Sequence, residues 1–176
     1  PTGVRVMAIA SGGAHSLALA VDGSVWAWGR NTHGELGDGT TTPSMVPVQV
    51  RMPHGVHFTA IAGGDMYSIA LDAAGRAWAW GNNASYQLGV GYGTLTDSHV
   101  PVRVRMPRGV RFTAIASGRY HSLALAADGT AWAWGNNQEG ALGIGTTNDI
   151  EDTVRVRIPT GVRFTAIAAG EMYSLA

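Results

Sequence analysis

The chain has 176 residues, 45% of them hydrophobic and only 14% charged, a composition that excludes intrinsic disorder. Twelve arginines balance twelve acidic residues and lysine is absent, so the formal net charge is zero and no global field draws in nucleic acid or an anionic membrane. Without cysteine there are no disulfides and no thiolate chemistry, and no run approaches the roughly 18–20 apolar residues of a membrane span. The opening Pro1-Thr2-Gly3-Val4 begins a repeat and does not resemble a signal peptide. No compartment follows from these features.

Pro-x-Gly-Val recurs at Pro1, Pro53, Pro107 and Pro159, at spacings of 52, 54 and 52 residues. A period near 50 marks a propeller or solenoid, whose units cannot bury their apolar faces alone. The expected units are 1–52, 53–106 and 107–158, followed by the first half of a fourth at 159–176. In the third, Val110-Arg111-Phe112-Thr113-Ala114-Ile115-Ala116 alternates and reads as a strand. Ser122-Leu123-Ala124-Leu125-Ala126 follows as a second. Asp128-Gly129 then predicts a hairpin into Ala131-Trp132-Ala133-Trp134-Gly135. A glycine-rich loop, Gly140 to Gly145, leads to a last strand, Val154-Arg155-Val156-Arg157, stopped by Pro159. Four short strands per unit make a propeller blade, and counting through the chain gives fourteen strands and essentially no helix.

Small residues recur in the first strand of each unit (Ala8, Ala10, Ala60, Ala62, Ala114, Ala116), as a crowded axis requires. The pairs Trp26/Trp28, Trp78/Trp80 and Trp132/Trp134 are two apart, so each pair shares one face of its strand. That face is expected to fill the gap between neighbouring blades.

Ala-Ile-Ala-x-Gly-x-x-His-Ser-Leu-Ala-Leu, then Asp-Gly, Trp-Gly-x-Asn and Leu-Gly-x-Gly, resembles the RCC1 (regulator of chromosome condensation) repeat. It stands at 8–19, Asp22-Gly23, Trp28-Gly29-Arg30-Asn31 and Leu36-Gly37-Asp38-Gly39, and recurs twice in phase, at 60–91 and 114–145. Tyr67 and Tyr173 depart from the usual histidine, and Ala73-Ala74-Gly75 from Asp-Gly. The lysine-free, alanine- and arginine-rich style looks like a bacterial member. The resemblance implies a seven-bladed propeller whose members mostly bind proteins. The expected fold is therefore all-β: RCC1-like blades of four antiparallel strands, about three and a half in this chain.

Three and a half blades do not close a ring, and open ends with unpaired edges and an apolar blade face predict self-association. The turn after the first strand reads Gly13-Ala14-His15 and Arg119-Tyr120-His121 in units one and three, but Asp65-Met66-Tyr67 and Glu171-Met172-Tyr173 in two and four. This alternation fits either duplication of a two-blade unit or drift at exposed loops. Repeat two also carries two extra residues around Gly91-Tyr92-Gly93-Thr94.

Chemistry is poorly supported. His54 and His57 lack a third ligand at useful spacing. Asp149, Glu151 and Asp152 read as a solvated acidic loop without the spacing of a calcium loop. His15-Ser16 and His121-Ser122 are strand neighbours pointing to opposite faces, and the glycine loops lack a phosphate-loop ending. Arg51, Arg103/Arg105 and Arg155/Arg157 could follow phosphates, but charge on an outer strand also discourages aggregation, and the neutral total favours that reading.

The expectation is a non-enzymatic scaffold with no catalytic, cofactor or metal site. Its partners would be a second copy, the remainder of a longer propeller or another protein, with neither nucleic acid nor membrane. Partner contacts are expected where the repeats vary: Asp65, Met66, Tyr67, Arg119, Tyr120, Glu171, Met172 and Tyr173. Two alternatives stand beside it: a nucleotide-exchange regulator of a small GTPase, implied by the resemblance, and an engineered repeat fragment with no natural ligand.

Overall fold

The computed structural model of the chain describes residues 3–91 and 96–176. Pro1 and most of the two-residue insertion expected in repeat two, at 92–95, lie outside the described residues. Strands β1 (Val6–Ser11), β2 (His15–Ala20), β3 (Val25–Gly29) and β4 (Ser44–Gln49) form one antiparallel meander. The second is β5 (Phe58–Gly63), β6 (Tyr67–Asp72), β7 (Ala77–Asn82) and β8 (Asp97–Arg103). The third is β9 (Phe112–Ser117), β10 (His121–Ala126), β11 (Ala131–Gly135) and β12 (Ile150–Arg155). A two-stranded piece, β13 (Ala168–Ala169) with β14 (Ser174–Leu175), completes fourteen strands. No helix occurs among the described residues, and the all-β, four-stranded blade architecture is as expected.

Two strand boundaries differ from the sequence reading. The outer strand of the third blade begins at Ile150, opposite Gly135, and ends at Arg155. Glu151 and Asp152 are therefore half-buried strand residues, not a solvated loop, while Asp149 accepts a 2.7 Å hydrogen bond from the Asn137 amide. An outer strand needs only one paired edge, so polar residues are tolerated there and the alternation that marks inner strands is lost. The opening strand of the fourth blade, expected over 162–168, is paired only at Ala168–Ala169.

The core lies between blades, not within them. Leu17, Leu19, Val25 and Ala27 of blade 1 pack against Phe58, Ala70 and Trp80 of blade 2. Ile69, Leu71, Ala77 and Ala79 of blade 2 meet Phe112, Ala124 and Trp134 of blade 3 in the same way. Strands β6 and β10 are buried on both faces because each blade is sandwiched by its neighbours. Leucine and isoleucine on one side alternate with alanine and serine on the other, leaving room for the incoming indole. Phe58 and Trp80 stack at 6.1 Å and 18°, Phe112 and Trp134 at 6.3 Å and 15°. The tryptophans thus fill the space between blades, as the two-residue spacing predicts.

Because every blade is a meander, its connections alternate ends. The turns between first and second strands and the long loops between third and fourth share one end, the turn end. The hairpins between second and third strands and the Pro-x-Gly-Val linkers share the other, the linker end.

Candidate functional site: the turn rim and the blade seams

At the turn end the first-to-second-strand turns of successive blades are stitched together. The Asp65 amide donates to Arg119 O at 3.2 Å, Arg119 N donates to Glu171 O at 3.0 Å, and Gly13 N donates to Gly64 O at 3.1 Å. The turns come this close because glycine precedes them. A Cβ at Gly12 would stand 2.5 Å from Gly64 O of the next blade, and one at Gly118 2.7 Å from Gly170 O.

The side chains continue the ring. Arg119 Nε donates to Asp65 at 3.3 Å and Nη1 to Glu171 at 2.6 Å, and the guanidinium lies 5.0 Å from the Tyr120 ring centroid. Hydrogen bonding to Asp65, with Tyr120 and Glu171 nearby, pushes the Arg119 pKa further up and keeps it charged. A cavity of about 500 Å³ opens here, walled by these three charged residues and by turn glycines. Exposed ion pairs add little to stability, so this trio is free to be reorganised by a partner.

Between blades a second arrangement repeats. Ser68 and Trp80 are cross-strand partners facing blade 1. Ser68 Oγ donates to Glu35 O at 2.9 Å and Trp80 Nε1 donates to the same carbonyl at 2.8 Å. Ser122 and Trp134 hold Gln87 O identically, at 3.0 and 2.9 Å. Ser174 Oγ donates to Ala141 O at 2.6 Å. Both lone pairs of a buried loop carbonyl are thereby satisfied from the following blade.

The residue that varies between histidine and tyrosine completes each seam. His15 Nε2 meets Ser68 Oγ at 2.9 Å and His121 Nε2 meets Ser174 Oγ at 3.1 Å. Each serine proton is committed to a carbonyl, so each histidine donates from Nε2 as the neutral ring. Burial lowers both pKa values from 6.5 to about 4, and His15 Nδ1 has no partner to share a second proton. These His–Ser contacts do not make a nucleophile with its base: Ser68 and His15 are buried, and the serine proton points away from the imidazole. In the middle seam Tyr67 reaches further, donating to His121 O at 2.5 Å with its hydroxyl oxygen 3.0 Å from Ser122 Oγ. Burial pushes its phenol well above the usual range.

The first seam also carries an ion pair and a histidine–carboxylate contact. Arg30 Nε lies 3.5 Å from Glu35, whose carboxylate is fully buried, and His33 Nδ1 lies 2.8 Å from Asp97 across the blades. In blade 2 the equivalent of Arg30 and Glu35 is a neutral pair, with Gln87 Nε2 donating to Asn82 Oδ1 at 2.9 Å.

The outer face of blade 1 presents the same cross-strand pair, Ser16 opposite Trp28. Neither side chain has a hydrogen-bond partner among the described residues, and Trp28 lines a cleft of about 270 Å³ with Ile9, Ser16 and Leu17. At the opposite end Tyr173, the counterpart of Tyr67, is 57% exposed.

Of the residues expected to contact partners, the structure brings Asp65, Arg119 and Glu171 together, with Tyr120 against Arg119. Met66 and Met172 are half-buried at equivalent turn positions. Tyr67 is fully buried between blades 2 and 3, where no partner can reach it. It leaves the candidate set because it is the first residue of β6 and its side chain lies in the seam, bonded to His121 O. Sequence reasoning missed the seam serines and the carbonyls of Glu35 and Gln87. The only signal was the serine that follows each of these histidines and tyrosines, since the contacts themselves span 33 to 53 residues.

The Regulator of chromosome condensation (RCC1) repeat model matches residues 22–71, 74–125 and 128–176, and a second RCC1 repeat model matches 7–35 and 112–141. The chain is 35% identical over 178 residues to human E3 ubiquitin-protein ligase HERC2, covering 99% of this chain and 4% of that protein. It is 30% identical to the Ultraviolet-B receptor UVR8 of Arabidopsis thaliana, covering 98% of this chain and 39% of the receptor. Human WBSCR16 superposes with a TM-score of 0.87 at 26% identity, and Prp20p of Saccharomyces cerevisiae with 0.83 at 25%. These span 98% and 97% of this chain but only 44% and 43% of theirs. The chain thus covers less than half the length of each of these proteins. All four are eukaryotic and lend no support to a bacterial origin.

Proposed function

Because this chain belongs to the RCC1 repeat family, we propose that it is a protein-binding scaffold without catalysis of its own, whose open blade faces associate with further blades of the same kind. The blade divisions at 53, 107 and 159 belong to this reading. One observation carries it. The Ser16–Trp28 pair on the outer face of blade 1 repeats the two pairs that each grip a carbonyl of a preceding blade, and here the grip is empty among the described residues. A second copy of the chain is the partner that supplies such a blade in solution. Rim residues Asp65, Arg119, Tyr120 and Glu171, flanked by Met66, Met172 and Tyr173, are the contact set for other proteins.

Light scattering of the purified chain across a concentration series tests the association. The expected result is a defined oligomer that Trp28→Ala shifts toward monomer. A monomer at every concentration overturns it. For the rim, protein capture that persists when Asp65, Arg119 and Glu171 are all replaced by alanine removes that surface from the reading.

A second reading, nucleotide exchange on a small GTPase, draws support from the likeness to Prp20p, whose structure is described with its binding properties to Gsp1p and histones. Accelerated nucleotide release from a GTPase in the presence of this chain would favour it.

A further inference from the structure

The zero net charge conceals a separation of charge between the two ends of the blades. The hairpins and linkers of the linker end, with Arg5 and the strand termini that feed them, carry ten of the twelve arginines. They carry only three of the twelve acidic residues, Asp22, Asp72 and Asp128. The remaining nine carboxylates lie on the turns, the long loops and the strands those loops enter. Counted by connection, the linker-end segments carry a formal charge of +7 and the rest of the molecule −7, with Arg105 reaching across to Asp152 at 3.6 Å.

All three acidic residues at the linker end are already engaged, Asp22 by the Ser24 hydroxyl at 2.7 Å and its amide at 2.9 Å. Asp72 is held by Arg76 at 2.6 Å and by Trp78 Nε1 at 3.0 Å. Asp128 accepts from the Thr130 hydroxyl at 2.7 Å and its amide at 3.0 Å, bonds that hold its pKa below the usual carboxylate range. The arginines are less committed. Arg155, Arg157 and Arg163 are exposed and line a groove of about 590 Å³ between the 128–130 hairpin and the linker to the fourth blade. Among the described residues no carboxylate approaches any of the three within 4 Å. Arg163 Nη1 donates to the Asp128 carbonyl, which holds one side of its guanidinium at the hairpin. Val156, Ile158 and Val162 supply an apolar wall.

We propose that this groove is a docking site for an extended acidic peptide segment, with carboxylates on Arg155, Arg157 and Arg163 and an apolar residue against Val156, Ile158 and Val162. Three guanidiniums with no carboxylate within 4 Å among the described residues match carboxylates in bidentate geometry. A nucleic-acid backbone fits less well, because its continuous charge meets an aspartate at the hairpin and has no use for the apolar wall. A peptide spaces its carboxylates with neutral residues and avoids both. The site is separate from the turn rim and from the blade faces, so it stands or falls independently of them.

The test is fluorescence anisotropy of the whole chain with a labelled twelve-residue peptide of four Glu-Glu-Leu repeats. The comparison probes are a Lys-Lys-Leu peptide and twelve-nucleotide oligothymidylate. The acidic peptide is expected to bind best, at least tenfold tighter than either, and to weaken about tenfold between 50 and 300 mM salt, as contacts to exposed charges are screened. Arg155→Gln/Arg157→Gln/Arg163→Gln should lose this binding, while Asp65→Ala/Glu171→Ala at the opposite end should retain it. Circular dichroism of the triple variant shows whether it is folded. If it is not, the salt dependence and probe order of the unmodified chain decide the question. No binding of the acidic peptide, equal binding of the basic one, tighter binding of oligothymidylate, or arginine-dependent self-association in place of peptide binding each overturns the proposal.

Discussion

The seam between blades 1 and 2 and the seam between blades 2 and 3 are built on one plan with different chemistry. In both, a serine and a tryptophan of the later blade close on a loop carbonyl of the earlier one, at distances within 0.1 Å of each other. Around that shared grip the first seam uses a histidine, a buried carboxylate with Arg30, and His33–Asp97. The second uses a tyrosine and an amide pair. Backbone geometry and indole packing therefore define a seam, while the polar groups around them are exchangeable and set only its response to conditions.

The largest expected effect is the loss of the shared element. Trp80→Ala and Trp134→Ala each remove a fully buried indole stacked on a phenylalanine and should each cost about 3–5 kcal/mol in denaturant unfolding. A loss in only one of the two would break the equivalence of the seams.

Acid should then distinguish them. His15 and His121 titrate near 4 when folded and near 6.5 when unfolded, so the unfolded chain binds more protons between those values. Stability contributed by the neutral rings is complete above pH 6.5, falls as pH drops toward 4, and changes no further from this cause below it. The loss is about 3 kcal/mol per histidine. The middle seam, with Tyr67, contributes nothing to that slope. Replacing both histidines by glutamine should flatten the stability profile between pH 4 and 6.5, and an unchanged slope would assign it elsewhere.

Smaller effects sharpen the contrast. Tyr67→Phe keeps the ring and removes the donor to His121 O, at a cost of about 1 kcal/mol. Arg30→Asn with Glu35→Gln converts the first seam to the amide pair of the second. Because burying a carboxylate offsets what its ion pair contributes, the double change should alter stability by less than about 1 kcal/mol, although Glu35→Gln alone leaves Arg30 unpaired. At the rim, Arg119→Ala should leave the thermal midpoint unchanged, because the side chain is exposed and its ion pairs are screened.

How much of this was legible can be read from particular residues. The period of Pro-x-Gly-Val, the Asp22-Gly23 and Asp128-Gly129 hairpins and the Trp-x-Trp spacing are local signals, and local periodicity fixes strand number and face. They foretold the blades and the packing of tryptophan between them. The rim was half legible: variation among repeats pointed to Asp65, Arg119 and Glu171, which do converge, but also to Tyr67, which is buried. A single sequence shows that a position varies, not which way its side chain turns. Glu151 and Asp152 read as a loop because an outer strand needs no alternation.

The sequence alone determined the all-β class, the four-strand unit and its repetition, because these rest on contacts between neighbours along the chain. The tertiary structure decided the rest: which carbonyl Ser68 and Trp80 share, which histidine is held neutral, and that a chain of zero net charge has a +7 end. Those properties arise where residues about fifty apart meet, and where meandering strands sort alternate connections to opposite ends. Neither is a property of any local stretch of sequence.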